Sequence, residues 1–243
     1  MNELVDDNDL RNVIIESYCI IFESKIDVAK EVYREYNKIL DNLDKFEPVG
    51  NTYELNGEIN GVPFVTYIQF NSTKGTVDAF ANVDPMEIII YSHELFLFFK
   101  QNNREAIKKY FTNSYVKYTI AHELSHLYEY TKRDINELSS YITNIDMKKV
   151  QESDETYYNQ QVEQTPIRIG TIISMTKDAI NNDITDPNKI YSYIIHNMDA
   201  YTKDTYKYLS QQNRRKLHKA ISNILNNIYV NGVCTLDGLN EHS

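Results

Sequence analysis

Glycine and proline are scarce in this chain, seven and five of 243 residues, whereas sandwiches and barrels consume both in their many tight turns. Helices are therefore expected to dominate. Cysteine is scarcer still. Cys19 and Cys234 stand nearly a chain length apart with no CxxC spacing, which excludes a disulfide framework and a thiolate metal site and fits a reducing compartment. Basic charge is in deficit, with 25 Lys and Arg against 35 Asp and Glu for a net charge of -10, and that opposes any sequence-independent grip on phosphate backbone or anionic lipid. No nucleic-acid or membrane partner is expected. Long apolar runs are missing too: the most apolar window, MEIIIYSHELFLFF, carries Glu87, His93 and Glu94 and is too short and too charged to span a bilayer. The N-terminus is acidic where a signal peptide is basic, and Glu16 interrupts its apolar stretch VIIESYCIIF, so the expectation is a cytoplasmic protein not secreted by a signal peptide.

What is present is a globular composition, 42% hydrophobic and 25% charged, in a chain long enough to bury a core without a disulfide or metal staple. No repeat or linker demands a boundary. The reading is one domain over 1–243, with an N-terminal helical segment (1–48), a core (52–180) and a C-terminal helical segment (185–243). The fold class is α+β and helix-rich. Residues from about Leu10 to Leu43 carry Val13, Ile14, Tyr18, Ile21, Ile26, Val28, Val32 and Tyr36 at helical spacing, and Pro48 and Gly50 end that helix. Between Thr52 and Phe80 the pattern alternates, and VPFVTYIQF and TVDAF around NSTKG predict a hairpin with Gly75 in the left-handed position. MEIIIY predicts a further strand buried on both faces, and SHELFLFFKQNNREAIKKYF a helix over 93–111. Helical segments are then expected from near Ser114, Asp134, Pro166, Pro187 and Gln211, the last ending around Gly232.

The chemistry lies in TNSYVKYTIAHELSHLYEYTKR. Capping residues Thr112, Asn113 and Ser114 open it, and no Gly or Pro follows, so a helix runs through Tyr130. His122 and His126 are four apart on one helical face, a spacing that lets two imidazoles converge on one metal ion. Glu123 is turned about 100° from His122, which suits contact with metal-bound water better than ligation. A composition with six His and 18 Glu yields such a pattern by chance in roughly 0.01 of sequences. Thr119, Ile120, Leu124, Ser125, Leu127 and Tyr128 are uncharged, as expected of a helix buried in a core. The bland alternative is a half-exposed helix that happens to carry two histidines.

TIAHELSHLY resembles the zincin metallopeptidase signature. The resemblance implies a zincin-like minidomain: a small mixed sheet, the HExxH helix bearing His122, Glu123 and His126, and a downstream helix bearing a third ligand. Glu129 and Lys132 stand where the metzincin extension wants Gly and His or Asp, which excludes that subgroup. YYNQQVEQTPIR is similar instead to the gluzincin third-ligand segment of small phage and bacterial zincins, with Tyr157 and Tyr158 as the aromatic pair and Glu163 as the ligand. The alanine of that segment's pattern is Pro166 here, and a proline belongs in a first helical turn. The expected helix therefore starts at Pro166, capped by Thr165, with Glu163 in the turn before it. Glu129, Glu137, Glu152, Asp154 and Glu155 remain minor contenders, Glu137 reading first as part of a capping box from Asp134. HEL at His93 to Leu95 is a decoy, with Leu97 where a second His is needed, and His196, His218 and His242 are isolated.

The resemblance implies a Zn2+ enzyme in which His122, His126 and Glu163 leave a fourth position for water, Glu123 acts as general base, and a peptide or protein substrate lies along an edge strand before Pro85. If the source is a phage, the compartment is the host cytoplasm or the virion. The rival is a non-catalytic zincin-like binding or structural protein, for example a virion component; the intact Glu123 speaks against it and Pro166 for it.

Overall fold

The computed structural model describes residues 28–132 and 158–230, except 30, 75, 76, 84, 183, 185 and 202–204. It is a mixed α+β architecture in which helices predominate. Residues 28, 29 and 31–41 are helical and form α1, whose face of Val28, Val32, Tyr36 and Ile39 is buried in the sheet core. The Tyr36 hydroxyl donates to the Phe111 carbonyl at 2.6 Å, tying α1 to the end of a later helix. The part of the expected N-terminal helix before residue 28 lies outside the described residues.

Five strands follow: β1 (Glu47–Val49), β2 (Thr52–Ile59), β3 (Val62–Gln69), β4 (Val77–Val83) and β5 (Met86–Ser92). The sheet order is β1-β2-β3-β5-β4, with β3 and β5 parallel and the other pairs antiparallel. The expected hairpin of VPFVTYIQF with TVDAF is therefore corrected. β3 pairs with β2 and β5, and β4 pairs with β5 alone. The tight turn in this region joins β2 to β3, where Asn60 (φ 52°) and Gly61 (φ 77°) both sit in the left-handed region, the backbone a two-residue hairpin with matching twist requires. Gly75 lies outside the described residues. Strand β5, between β3 and β4, buries Ile88, Ile89 and Ile90, as a strand covered on both faces should.

Ser92 ends β5 and starts α2 (His93–Lys100), its Oγ accepting from the Leu95 amide at 3.1 Å. The segment 93–111 is two helices and not the single one expected. Asn102 adopts φ 52°, and Asn103 caps α3 (Arg104–Phe111) by accepting from the Ala106 amide at 3.1 Å. Asn113 then caps α4 (Ser114–Thr131), accepting from the Tyr115 and Val116 amides at 3.0 and 3.4 Å. Beyond the described break come α5 (Gln161–Asn181), α6 (Pro187–Tyr201), α7 (Thr205–Tyr208) and α8 (Gln211–Val230). The expected starts at Pro187 and Gln211 hold. The start at Pro166 does not, because α5 begins five residues earlier and carries Pro166 inside it. Asp134 and Gly232 fall outside the described residues.

Two apolar cores result. One gathers the inner sheet face, α1, α4 and the Ile169 and Ile173 side of α5. The other gathers Ile167, Ile172 and Met175 of α5 with Ile190, Ile194, Met198, Leu209, Leu217 and Ile221. Each fully buried aliphatic of this size contributes on the order of 1.5–3 kcal/mol relative to exposure, so α5 is held from both sides. Against α4 it also makes a partly buried ion pair, Lys117 Nζ to Asp178 Oδ1 at 3.0 Å, and Ser114 bonds the same carboxylate. The two helices approach closely at Gly170, where a Cβ would lie 3.0 Å from the Tyr118 carbonyl oxygen. Among the described residues no helix is long and apolar enough to cross a membrane.

Candidate metal centre

Eighteen residues without Gly or Pro, a good cap and a partner on each side make α4 a rigid element buried along most of its length. Thr119, Ile120, Leu124, Ser125, Leu127 and Tyr128 are all buried, as their lack of charge suggested, and the bland alternative of a half-exposed helix fails. His122 and His126 project from one face toward the first turn of α5, where Glu163 stands. Their atoms converge. His122 Nε2 is 3.0 Å from Glu163 Oε2, His126 Nε2 is 3.4 Å from the same oxygen, and the two Nε2 atoms are 3.2 Å apart.

That triangle tests whether an ion fits. Ligands bound tetrahedrally at roughly 2.0–2.1 Å are separated by about 3.3 Å, and edges of 3.0, 3.2 and 3.4 Å bracket that value. The three residues lie close enough to hold a metal ion. A ligating histidine ordinarily donates its second ring N–H to an acceptor; among the described residues Nδ1 of His122 is buried and has none.

Charge is arranged around the same point. Burial raises the Glu163 carboxyl, but the charge of His126 and hydrogen bonds from both histidines outweigh it and hold the group well below the usual carboxylate range. Burial likewise lowers His126, yet the Glu163 charge and hydrogen bond, aided by Glu123 and Glu129, push it up to about 9. Glu123 points elsewhere, as the 100° rotation requires. Its Oε2 accepts the backbone N–H of Ala81 at 2.8 Å. Burial raises its carboxyl above the ordinary value, with the two histidines and the Ala81 N–H pulling the other way. A carboxylate with raised affinity for a proton, beside a cluster able to hold a cation, has the character of a general base.

Ala81 lies on β4, which among the described residues has β5 as its only strand neighbour, so an edge strand of the described sheet runs past the cluster. Sequence reasoning did not find this backbone contact, which no side-chain pattern announces. It also passed over Tyr118, one turn before His122, whose ring centroid is 5.9 Å from that imidazole. Burial keeps the Tyr118 hydroxyl protonated well above its ordinary range, although Thr205 opposes the shift. The i, i+4 offset from His122 was the available signal. Of the minor contenders, Glu129 is half-buried on α4 outside the triangle. Glu137, Glu152, Asp154 and Glu155 lie outside the described residues.

Fold and site together define an α+β protein with a buried two-histidine, one-carboxylate cluster beside an edge strand of the described sheet. No family model, curated protein or solved structure matches the chain.

Proposed function

We propose that the protein is a zinc-dependent metallopeptidase of zincin-like, gluzincin type, with His122, His126 and Glu163 as ligands and Glu123 as general base. One observation carries the reading. The third ligand, a carboxylate, arrives from a separate helix at ligand distance of both histidines, while the glutamate between the histidines is kept out of the triangle and bonded to the sheet edge. A site meant only to hold an ion has no use for that second, displaced carboxylate. Two imidazoles and one carboxylate also suit zinc and leave a coordination position open. Zinc bound there supplies Lewis acidity toward a peptide carbonyl and brings the pKa of water toward neutrality.

The chain supplies the rest. Glu123 Oε2 sits beside the cluster with its proton affinity raised by burial, so it takes a proton from the attacking water and returns it to the leaving amine nitrogen. The Ala81 N–H fixes that carboxylate in place. Strand β4, at the edge of the described sheet, offers backbone groups to which an extended peptide or protein segment adds as a further strand. The compartment that fits two distant cysteines is a reducing one, the cytoplasm of a cell or, for a phage protein, of its host.

A second reading, a zincin-like binding or structural protein whose ion braces α4 against α5, is favoured by the burial of the cluster: His122, Glu123 and Glu163 are 6%, 9% and 3% exposed. Glu123→Gln separates the two, because glutamine retains an oxygen for the Ala81 N–H and loses the base. Zinc content of about one per chain and an unchanged melting temperature are expected, with peptide hydrolysis down by about 10²- to 10⁴-fold. Full activity in that variant, or none in the zinc-loaded wild type against broad peptide libraries, refutes the peptidase reading. A wild type that takes up no zinc refutes both.

A further inference from the structure

The lead-in to α5 is tied to the C-terminal helices chiefly through hydrogen bonds of one side chain. Asn159, four residues before Glu163, donates from Nδ2 to the Tyr208 carbonyl at 2.7 Å. Its Oδ1 accepts from the Ser210 amide at 2.7 Å and from Asn213 Nδ2 at 2.8 Å. One planar amide thus engages the end of α7, the linker and the first turn of α8. The neighbouring Tyr158 ring stacks on Tyr208, with centroids 6.0 Å apart and planes 18° from parallel.

Rigidity passes from Asn159 to the ligand through a short bonded turn. Gln164 Nε2 donates to the Tyr158 carbonyl at 2.9 Å and to that of Gln160 at 3.4 Å, and the Glu163 amide donates to the Gln160 carbonyl at 3.2 Å. On the far side, Leu209 and Leu217 are buried in the second apolar core. These contacts fix where α5 begins, and a ligand must be held to within about 0.5 Å for its ion.

We propose that Asn159 is a positioning residue for the third metal ligand, and that through it the docking of α7–α8 and the occupancy of the metal site form one linked equilibrium. The proposal rests on the metal-binding part of the reading above and is independent of hydrolysis. An asparagine is required because the site demands a donor and an acceptor on one short planar group. Aspartate keeps the acceptor side and sets a carboxylate against the Tyr208 carbonyl. By linkage, whatever strengthens α7–α8 docking tightens the metal, and the metal stabilises that docking in return by the same factor.

The test is zinc affinity, measured by competition with a chromophoric chelator on the full chain, for the wild type, Asn159→Ala and Asn159→Asp. Melting temperatures are taken in chelator, and hydrogen exchange of the wild type is followed with and without zinc. Asn159→Ala is expected to weaken zinc about 10- to 100-fold, the range for groups that orient a ligand without touching the ion, and Asn159→Asp to fall between it and the wild type. Added zinc is expected to slow exchange across residues 205–221 of the wild type. A variant with a lower melting temperature and zinc affinity within twofold of the wild type overturns the positioning role. Exchange at 205–221 that ignores zinc overturns the linkage even if the alanine variant fails to fold. A wild type that binds no zinc overturns the metal reading itself.

Discussion

Replacing Glu163 by alanine asks the most of the site. Glu163 is 3% exposed and closes two edges of the ligand triangle, so its loss leaves two imidazoles and no charge to oppose that of the ion. Losing an orienting group costs about 10- to 100-fold in metal affinity, and losing a ligand must cost more, at least about 1,000-fold or ~4 kcal/mol. Thermal shift in buffered zinc reads this out. At free zinc near 100 times the wild-type Kd, binding adds about 2.7 kcal/mol, which for a chain of this size raises the melting temperature by roughly 5–10 °C. A variant binding 1,000-fold more weakly gains under about 0.1 kcal/mol at the same free zinc, and its melting curve does not move. Glu129→Ala is the control. Glu129 lies near His126, whose charge it favours, but outside the triangle, so its removal leaves most of the shift. A full zinc shift in Glu163→Ala, or its loss in Glu129→Ala, shows that the third ligand is misassigned and leaves the histidine pair standing.

Two predictions concern the α4–α5 contact. Gly170→Ala sets a Cβ 3.0 Å from a backbone oxygen of Tyr118, which cannot rotate away, so the helices must separate at a cost of about 1–3 kcal/mol; a melting temperature equal to wild type, measured in chelator, contradicts the close approach. Lys117→Met leaves the half-buried Asp178 short of its cation, which should destabilise by about 1–3 kcal/mol; adding Asp178→Leu should recover part of that loss by denaturant titration, and a double variant less stable than the single one contradicts the reading.

Much of the site was legible because its determinants are local. The capping residue Asn113, the unbroken run to Thr131 and the i, i+4 histidines all act within one helix, and periodicity reports such features directly. Glu163 was legible only by resemblance, and its setting was misread through Pro166. That proline sits in the sixth position of α5, where its missing N–H forfeits one bond to the Val162 carbonyl. The buried Pro166 ring and the Gln164 side chain, which ties down two carbonyls of the preceding turn, oppose that loss. Local propensity yielded to tertiary contacts. The strands were visible in their alternation, but alternation says nothing about partners. NSTKG drew the eye as a turn while Asn60-Gly61, the stronger hairpin signal, went unweighed, and the parallel pairing of β3 with β5 is a long-range event with no local signature.

The separation of the ligands along the chain sets when the cluster can exist during folding. His122 and His126 face one another as soon as α4 forms, whereas Glu163 lies 41 residues from His122 and reaches it only once α4 and α5 have met, an entropic cost of about 3 kcal/mol for bringing together points that far apart on an unfolded chain. Helix α5 must bury itself in both cores before that cost is compensated. A nascent or partly unfolded chain therefore offers an ion two imidazoles at most, and tight capture is reserved for molecules whose long-range assembly is complete.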